Sequence, residues 1–453
     1  MGPRLDIDTA LREAVAHHQA GRLDQAAALY ARVLEAAPDH PDALNLAGVA
    51  AAQAEAFVRA EALIRRAVAL APGIAQFHNN LGLALKSQGR TADAIAAFEN
   101  AVALDAGNAE ALCNLGVVLY ARGERDSAAA RLQAALAAAP NAPMAHALLA
   151  GLLFDRGRLA DAERHLRRAA ALSPHYEYGA ACFLDADYDH IADAAAFAAR
   201  LAALPPVTGE MPARDGAGFM IYAGCDARYF HDYARAIPLS AAIASPGIEV
   251  HLHVVNPDAG FGAAITRLKG ALKTARLTVS TEHAPQASRA DLANMRFARA
   301  AALFEAVRRP ILMLDADSLV RGDVTGLAAM FADADLALFA RPDNLPLNQR
   351  LLTGAIFVRP TEPGVRFMRR LAAYIMGCAA RGLRPWYLDQ CAVTIILKRT
   401  EMAGEPLRVA QLPQAYVDYA LGDSSRIWTG KGGGKDGDKF RAALAAVLAR
   451  EAA

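Results

Sequence analysis

The sequence predicts two architectures in one chain, an all-α solenoid followed by an α/β domain built on a mostly parallel sheet. Three observations carry this. Landmarks recur at a fixed spacing through the front third, apolar strand-like runs alternate with helical stretches from Phe219 onward, and the segment PILMLDADSLVRGD (Pro310–Asp323) runs four apolar residues into an Asp-Ala-Asp. Helix pairs in series predict a repeat stack. Strands alternating with helices predict a parallel sheet covered on both faces.

The repeat comes first. Large residues fall 34 positions apart at Tyr30, Ile64, Phe98, Leu132 and Leu166. Helix-ending pairs precede them at Gly21-Arg22, Ala54-Glu55, Gly89-Arg90, Gly123-Glu124 and Gly157-Arg158, and Pro38, Pro72, Ala106, Pro140 and Pro174 close each unit. Proline cannot continue a helix. These marks predict five helix-turn-helix units over residues 6–174, a pattern that resembles the tetratricopeptide repeat. Gly48, Gly82 and Gly116, with Ala150 in register, are the small residues that let paired helices approach. Stacks of this kind bind proteins or peptides on a concave face lined by the first helix of each unit. On those helices stand Asn45, Asn79, Asn80 and Asn114, whose amides can bond a peptide backbone and are the candidate acceptor-binding residues; they read equally as caps or surface polar residues. Residues 175–204 hold one more amphipathic helix, Ile191–Leu204, expected to cap the stack. A second Asp-Ala-Asp at Asp185–Asp187 has no strand before it and reads as a decoy. Leu204–Gly218 has the Pro/Gly composition of a linker.

From Phe219 the expected order is strand Phe219–Ala223, helix Tyr229–Ala244, strands Glu249–Val255 and Leu277–Ser280, helix Asn294–Arg308 and strand Ile311–Leu314. Ala355–Val358 and Cys391–Leu397 are apolar runs that periodicity leaves open between strand and buried helix. Open α/β sheets bind ligands beyond the carboxyl ends of their strands, which is where Asp315 and Asp317 fall. Two carboxylates together are costly unless a cation neutralises them, and hard oxygen donors suit Mg²⁺ or Mn²⁺.

RFARAAALFEAVRRPILMLDADSLVRGD resembles the DxD region of GT-A glycosyltransferases, especially the glycogenin-like, mostly retaining group. The resemblance continues through TGAIFVRPTEPGVRFMRRL (Thr353–Leu371), the Asp389-Gln390 of WYLDQCAV and IWTGKGGGK (Ile427–Lys435), and covers most of residues 219–440, within an expected domain of 219–445. It implies a GT-A nucleotide-sugar-binding domain with a UDP- or GDP-sugar donor and a Mn²⁺ or Mg²⁺ held by Asp315 and Asp317. By the same likeness Tyr222, Ala223 and Asp226 would meet the base at the tip of the first strand, and Arg299 would lie near the diphosphate or ribose. Ala316, between the aspartates, and Thr353 with Gly354 would line the donor pocket. Asp389 and Gln390 would face the reacting carbon, and Gly430, Lys431 and Lys435 would meet the diphosphate. Relatives often carry a histidine before the Gly-x-x-Lys segment as a third metal ligand; here no histidine follows His283, so either the metal would have fewer protein ligands or Asp423 would substitute. His251 and His253 alternate on one strand, where sheet-face histidines are commoner than ligands. Trp386 and Tyr387 could stack on a sugar or simply pack.

The implied activity is metal-dependent transfer of a sugar to a protein or peptide held by the repeats. Two other readings stand beside it: a non-catalytic repeat scaffold with a degenerate transferase domain, and a haloacid dehalogenase-type phosphatase, whose loop also follows an apolar strand as D-x-D. The net charge of +1 gives no case for nucleic acid. Five scattered cysteines form no CxxC pair, fitting a reducing compartment. No leader-like apolar core opens the chain and no apolar run reaches membrane-spanning length, so the expected location is cytoplasmic. Exposed solenoid ends leave a homodimer open.

Overall fold

The computed structural model describes residues 6–176, 194–214, 216, 218–341, 351–381, 388–418, 421–430 and 437–451. Two compact units divide after Tyr176.

The first unit contains five helical hairpins: α1 (Ile7–Gln19) with α2 (Leu23–Ala36), α3 (Pro41–Gln53) with α4 (Phe57–Leu70), α5 (Ala75–Ser87) with α6 (Thr91–Leu104), α7 (Ala109–Ala121) with α8 (Arg125–Ala138), and α9 (Pro143–Asp155) with α10 (Leu159–Leu172). The small-to-large pairing read from the sequence sets the distance within hairpins. A Cβ added at Gly48 would stand 2.5 Å from Ile64 Cγ1, one at Gly82 2.5 Å from Phe98 Cε1, and one at Gly116 2.8 Å from Leu132 Cγ. Each turn needs one residue in the left-handed region, and Gly21, Gly89, Gly123 and Gly157 supply it at φ of 73° to 86°. In the second hairpin the equivalent is Glu55, at φ 59°. The expected Ala54-Glu55 pair is therefore one residue out of register.

In the second unit β1 is Thr208–Gly209, β2 Met220–Asp226, β3 Glu249–Val255, β4 Arg276–Glu282, β5 Ile311–Leu314, β6 Ser318–Val320, β7 Leu336–Ala340, β8 Leu351–Val358, β9 Val409–Gln411, β10 Val417–Asp418 and β11 Ile427–Thr429. The longer helices are α11 (Ala194–Ala202), α12 (Ala236–Ala244), α13 (Phe261–Ala271), α14 (Arg289–Val307), α15 (Glu362–Ala380), α16 (Leu388–Met402) and α17 (Asp438–Leu448). Eight strands form one sheet in the order β1-β4-β3-β2-β5-β8-β7-β9. The four central strands β4, β3, β2 and β5 are parallel, and β8 runs antiparallel to β5. One sheet face, with Ile221, Leu252, Val279 and Leu312, closes on Ile237, Ala241, Ala264 and Leu268 of α12 and α13. On the Tyr222 face lies α14, with α15 packed beside it.

Two expectations change here. Helix α11, expected to cap the solenoid, falls in the second unit: Phe197 is buried and Arg200 Nη1 donates to Ala373 O of α15, 3.3 Å away. Part of the expected linker is an edge strand, since Thr208 and Gly209 pair with Thr281 and Ser280. The two undecided runs resolve as a strand, within β8, and a helix, within α16. The second Asp-Ala-Asp, Trp386 and Tyr387 lie outside the described residues.

Candidate functional site

The parallel strands run third, second, first, fourth across the sheet, so the order reverses between β2 and β5. Such a switch point opens a crevice beyond the strands' carboxyl ends. At its two lips stand Asp226, ending β2, and Asp315, following β5.

The turn carrying Asp315, Ala316 and Asp317 is fixed from both sides. Asp315 N donates to Gly354 O at 2.9 Å, which draws Thr353 and Gly354 of β8 alongside. Past the turn, β6 leaves the main sheet and pairs antiparallel with β11, Ser318 opposite Thr429 and Leu319 opposite Trp428. Gly430 N donates to Asp317 O at 3.0 Å, so the start of the glycine-rich segment lies against the second aspartate. Lys431 and Lys435 fall outside the described residues. At the head of α16, Asp389 accepts from the Thr353 hydroxyl at 2.6 Å and from Gln390 N at 2.9 Å. Four segments far apart in sequence thus meet around one acidic cluster.

Two of them, at Asp315 and Asp389, share a partner that the sequence reading missed. Arg296 of α14 bridges Asp315, through Nη1, and Asp389, through Nη2 at 3.0 Å. Tyr222 Oη donates to the Arg296 carbonyl at 3.1 Å. Gly224 of β2 permits the approach, since a Cβ there would lie 2.8 Å from Arg296 Cβ. Burial opposes the charge on Arg296, but Asp315 and Asp389 outweigh it and the guanidinium is held more strongly protonated than usual. The one signal that could have found Arg296 is the small residue at 224, two positions from the end of β2.

Arg299, expected at the diphosphate, is engaged elsewhere. Its Nε–H donates to Glu282 Oε2 at 2.8 Å and its Nη2 to Pro205 O at 2.6 Å. Tyr222 and Ala223 are interior positions of β2, essentially inaccessible, because neighbouring strands flank them on both sides; the strand tip is Asp226. Burial, with Glu282 nearby, pushes the Tyr222 phenol up. Asp226 caps the following turn by accepting from Tyr229 N at 2.7 Å. Asp423 does not join the acidic pair but binds Lys439 at 2.9 Å. Among the described residues no group of three or more His, Cys, Asp or Glu is placed to hold a metal ion. His251 and His253 belong to the sheet interior: His251 bonds Thr278 and Ser280, each at 2.9 Å, and His253 bonds Ser280 at 2.9 Å.

In the first unit the four asparagines bond across hairpins. Asn80 Nδ2 donates to Asn45 Oδ1 and Asn114 Nδ2 to Asn79 Oδ1, both at 3.0 Å, and Asn79 Nδ2 reaches Glu110 at 3.0 Å. Asn79 is wholly buried. The donors offered to a peptide on Asn79, Asn80 and Asn114 are therefore engaged between units, and none of the four caps a helix.

Family models of the tetratricopeptide repeat match residues 11–75 and 85–152. The first unit is a tetratricopeptide-repeat solenoid. Similar solved structures include PilF of Pseudomonas aeruginosa, 21% identical over 41% of this chain and 85% of that one, with a TM-score of 0.38. TTC0263 of Thermus thermophilus, a thermophilic repeat protein, is 25% identical over 38% and 98%, with a TM-score of 0.34. YrrB, described as a repeat protein with an unusual peptide-binding site, is 21% identical over 37% and 87%, with a TM-score of 0.31. No curated protein matches the chain. Among the described residues no helix is long and apolar enough to cross a membrane.

Proposed function

We propose that the α/β unit is a metal-dependent glycosyltransferase of GT-A type, moving a sugar from a nucleotide-sugar donor to a protein or peptide engaged by the repeats. One observation carries the reading: the four segments that resemble the GT-A motifs, at 315–317, 353–354, 389–390 and 427–430, converge at the switch point where an α/β sheet binds its ligand.

In the reaction the bond between the sugar's C1 and the diphosphate oxygen breaks, and its electron pair leaves with the diphosphate. A bond forms from C1 to the acceptor's nucleophilic atom, whose proton passes to the departing diphosphate. Asp315 and Asp317 would hold Mg²⁺ or Mn²⁺, two carboxylates on a fixed turn being hard donors that suit such a cation. Such a cation would neutralise charge developing on the leaving diphosphate. Asp389, fastened by Thr353, Arg296 and its own helix start, would present a fixed negative edge to the sugar, and the segment opening at Gly430 would meet the phosphates. The repeats would raise the acceptor's effective concentration by tethering it.

The Arg296–Asp315 ion pair also fits a second reading, in which the domain is a non-catalytic scaffold whose acidic pair is satisfied internally. Calorimetric titration with UDP and GDP separates the two. The transferase reading expects binding that requires Mn²⁺ and is lost in Asp317→Ala, whereas the scaffold reading expects no metal-dependent binding.

A further inference from the structure

This inference rests on the transferase reading. Asp315 is at once the first carboxylate of the acidic pair and the partner of Arg296. The Arg296 side chain is 14% exposed, and the Asp315 and Asp389 side chains are each 12% exposed. Carboxylates so enclosed need compensation, since removing one partner from a buried pair leaves an uncompensated charge. Arg296 supplies it from within the chain. Among the described residues its Nε–H is buried without a hydrogen-bond partner, so the guanidinium that holds the two acids has one donor not engaged by them. A buried donor normally finds an acceptor, and an anion entering the crevice would offer one.

We propose that Arg296 is a resident counter-ion whose hold on Asp315 makes divalent-cation binding weak alone and strong once a nucleoside diphosphate is present. The cation and the guanidinium compete for Asp315. A diphosphate resolves the competition because its oxygens accept from the guanidinium, including Nε–H, and release the carboxylate. Cation and diphosphate then strengthen each other's binding by the same factor, as linkage requires.

The test uses the full chain and Mn²⁺ alone, with free Mn²⁺ counted by electron paramagnetic resonance. Arg296→Gln is expected to bind Mn²⁺ at least tenfold more tightly than the wild type, and added UDP or GDP should tighten wild-type binding at least tenfold but the variant's far less. A second variant, Arg296→Gln/Asp389→Asn, removes the pair as a unit and keeps the net charge of the cluster at its wild-type value. It is also expected to bind Mn²⁺ several-fold more tightly, because Asp315 is released without any gain in negative charge. Wild-type affinity in the double variant would overturn the counter-ion role and leave the transferase reading standing. No Mn²⁺ binding by any form, with or without nucleotide, would overturn both.

Discussion

Replacing Glu282 by Gln tests how helix α14 is held. Glu282 ends β4 with its side chain fully enclosed, and Arg299 bonds it through two guanidinium nitrogens while also donating to Pro205 O. Breaking a buried pair at one partner costs about 3–5 kcal/mol. Glutamine keeps one acceptor oxygen, so the lower end, about 3 kcal/mol, is expected. Domains of this kind have roughly 5–15 kcal/mol in total, so the loss is readily seen by urea denaturation. Removing both charges in Glu282→Gln/Arg299→Met should cost clearly less than the two single changes added together. The acid side adds a sign. Burial pushes the Glu282 carboxyl up, but the bonded Arg299 guanidinium and the nearby His253 ring outweigh it and hold the group below its ordinary value. The pair therefore stabilises fully above the unfolded glutamate pKa, and that share is lost as pH falls through the lower folded value. Glu282→Gln should lack this share of the acid loss. A cost under about 1 kcal/mol, or strict additivity in the double variant, would refute the reasoning.

Three further outcomes are expected. Gly82→Ala forces a methyl to within 2.5 Å of the Phe98 ring and should cost about 1–3 kcal/mol in a thermal melt, while Gly73→Ala, with nothing within 4 Å, should not. Asp335 is pushed up by burial but held at about 2 by Arg408 and Thr361; Asp335→Asn should lose on the order of 2 kcal/mol at neutral pH and flatten the stability loss otherwise seen as pH falls from about 4 through about 2. Asn79→Ala leaves Asn114 Nδ2 and Glu110 without their shared rung and should lower stability by about 1–3 kcal/mol in the same melt.

The solenoid was legible because its packing is written twice per unit, as a small residue such as Gly82 and a large one such as Phe98 sixteen positions on. Glu55 was not, since nothing in its side chain announces a left-handed turn. Strands β3 and β5 were read to the residue because buried parallel strands are continuous apolar runs. The run Cys391–Leu397 was ambiguous for the same reason, a buried helix being apolar all round. In the candidate site the acidic pair and the order of the four segments were visible, but Arg296 was not. It stands one helical turn from Arg299, and only the rotation of α14 against β2, with Gly224 beneath it, determines which guanidinium meets the aspartates. Thr208 and Gly209 became a strand through the free edge of β4, a tertiary fact that local composition does not carry.

The central claim is tested most directly by Mn²⁺-dependent nucleotide release from a panel of sugar nucleotides, comparing the wild type with Asp315→Ala/Asp317→Ala. The account predicts release from one donor and its abolition in the double variant. Absence of release from every donor, together with absence of Mn²⁺-dependent nucleotide binding, would contradict it.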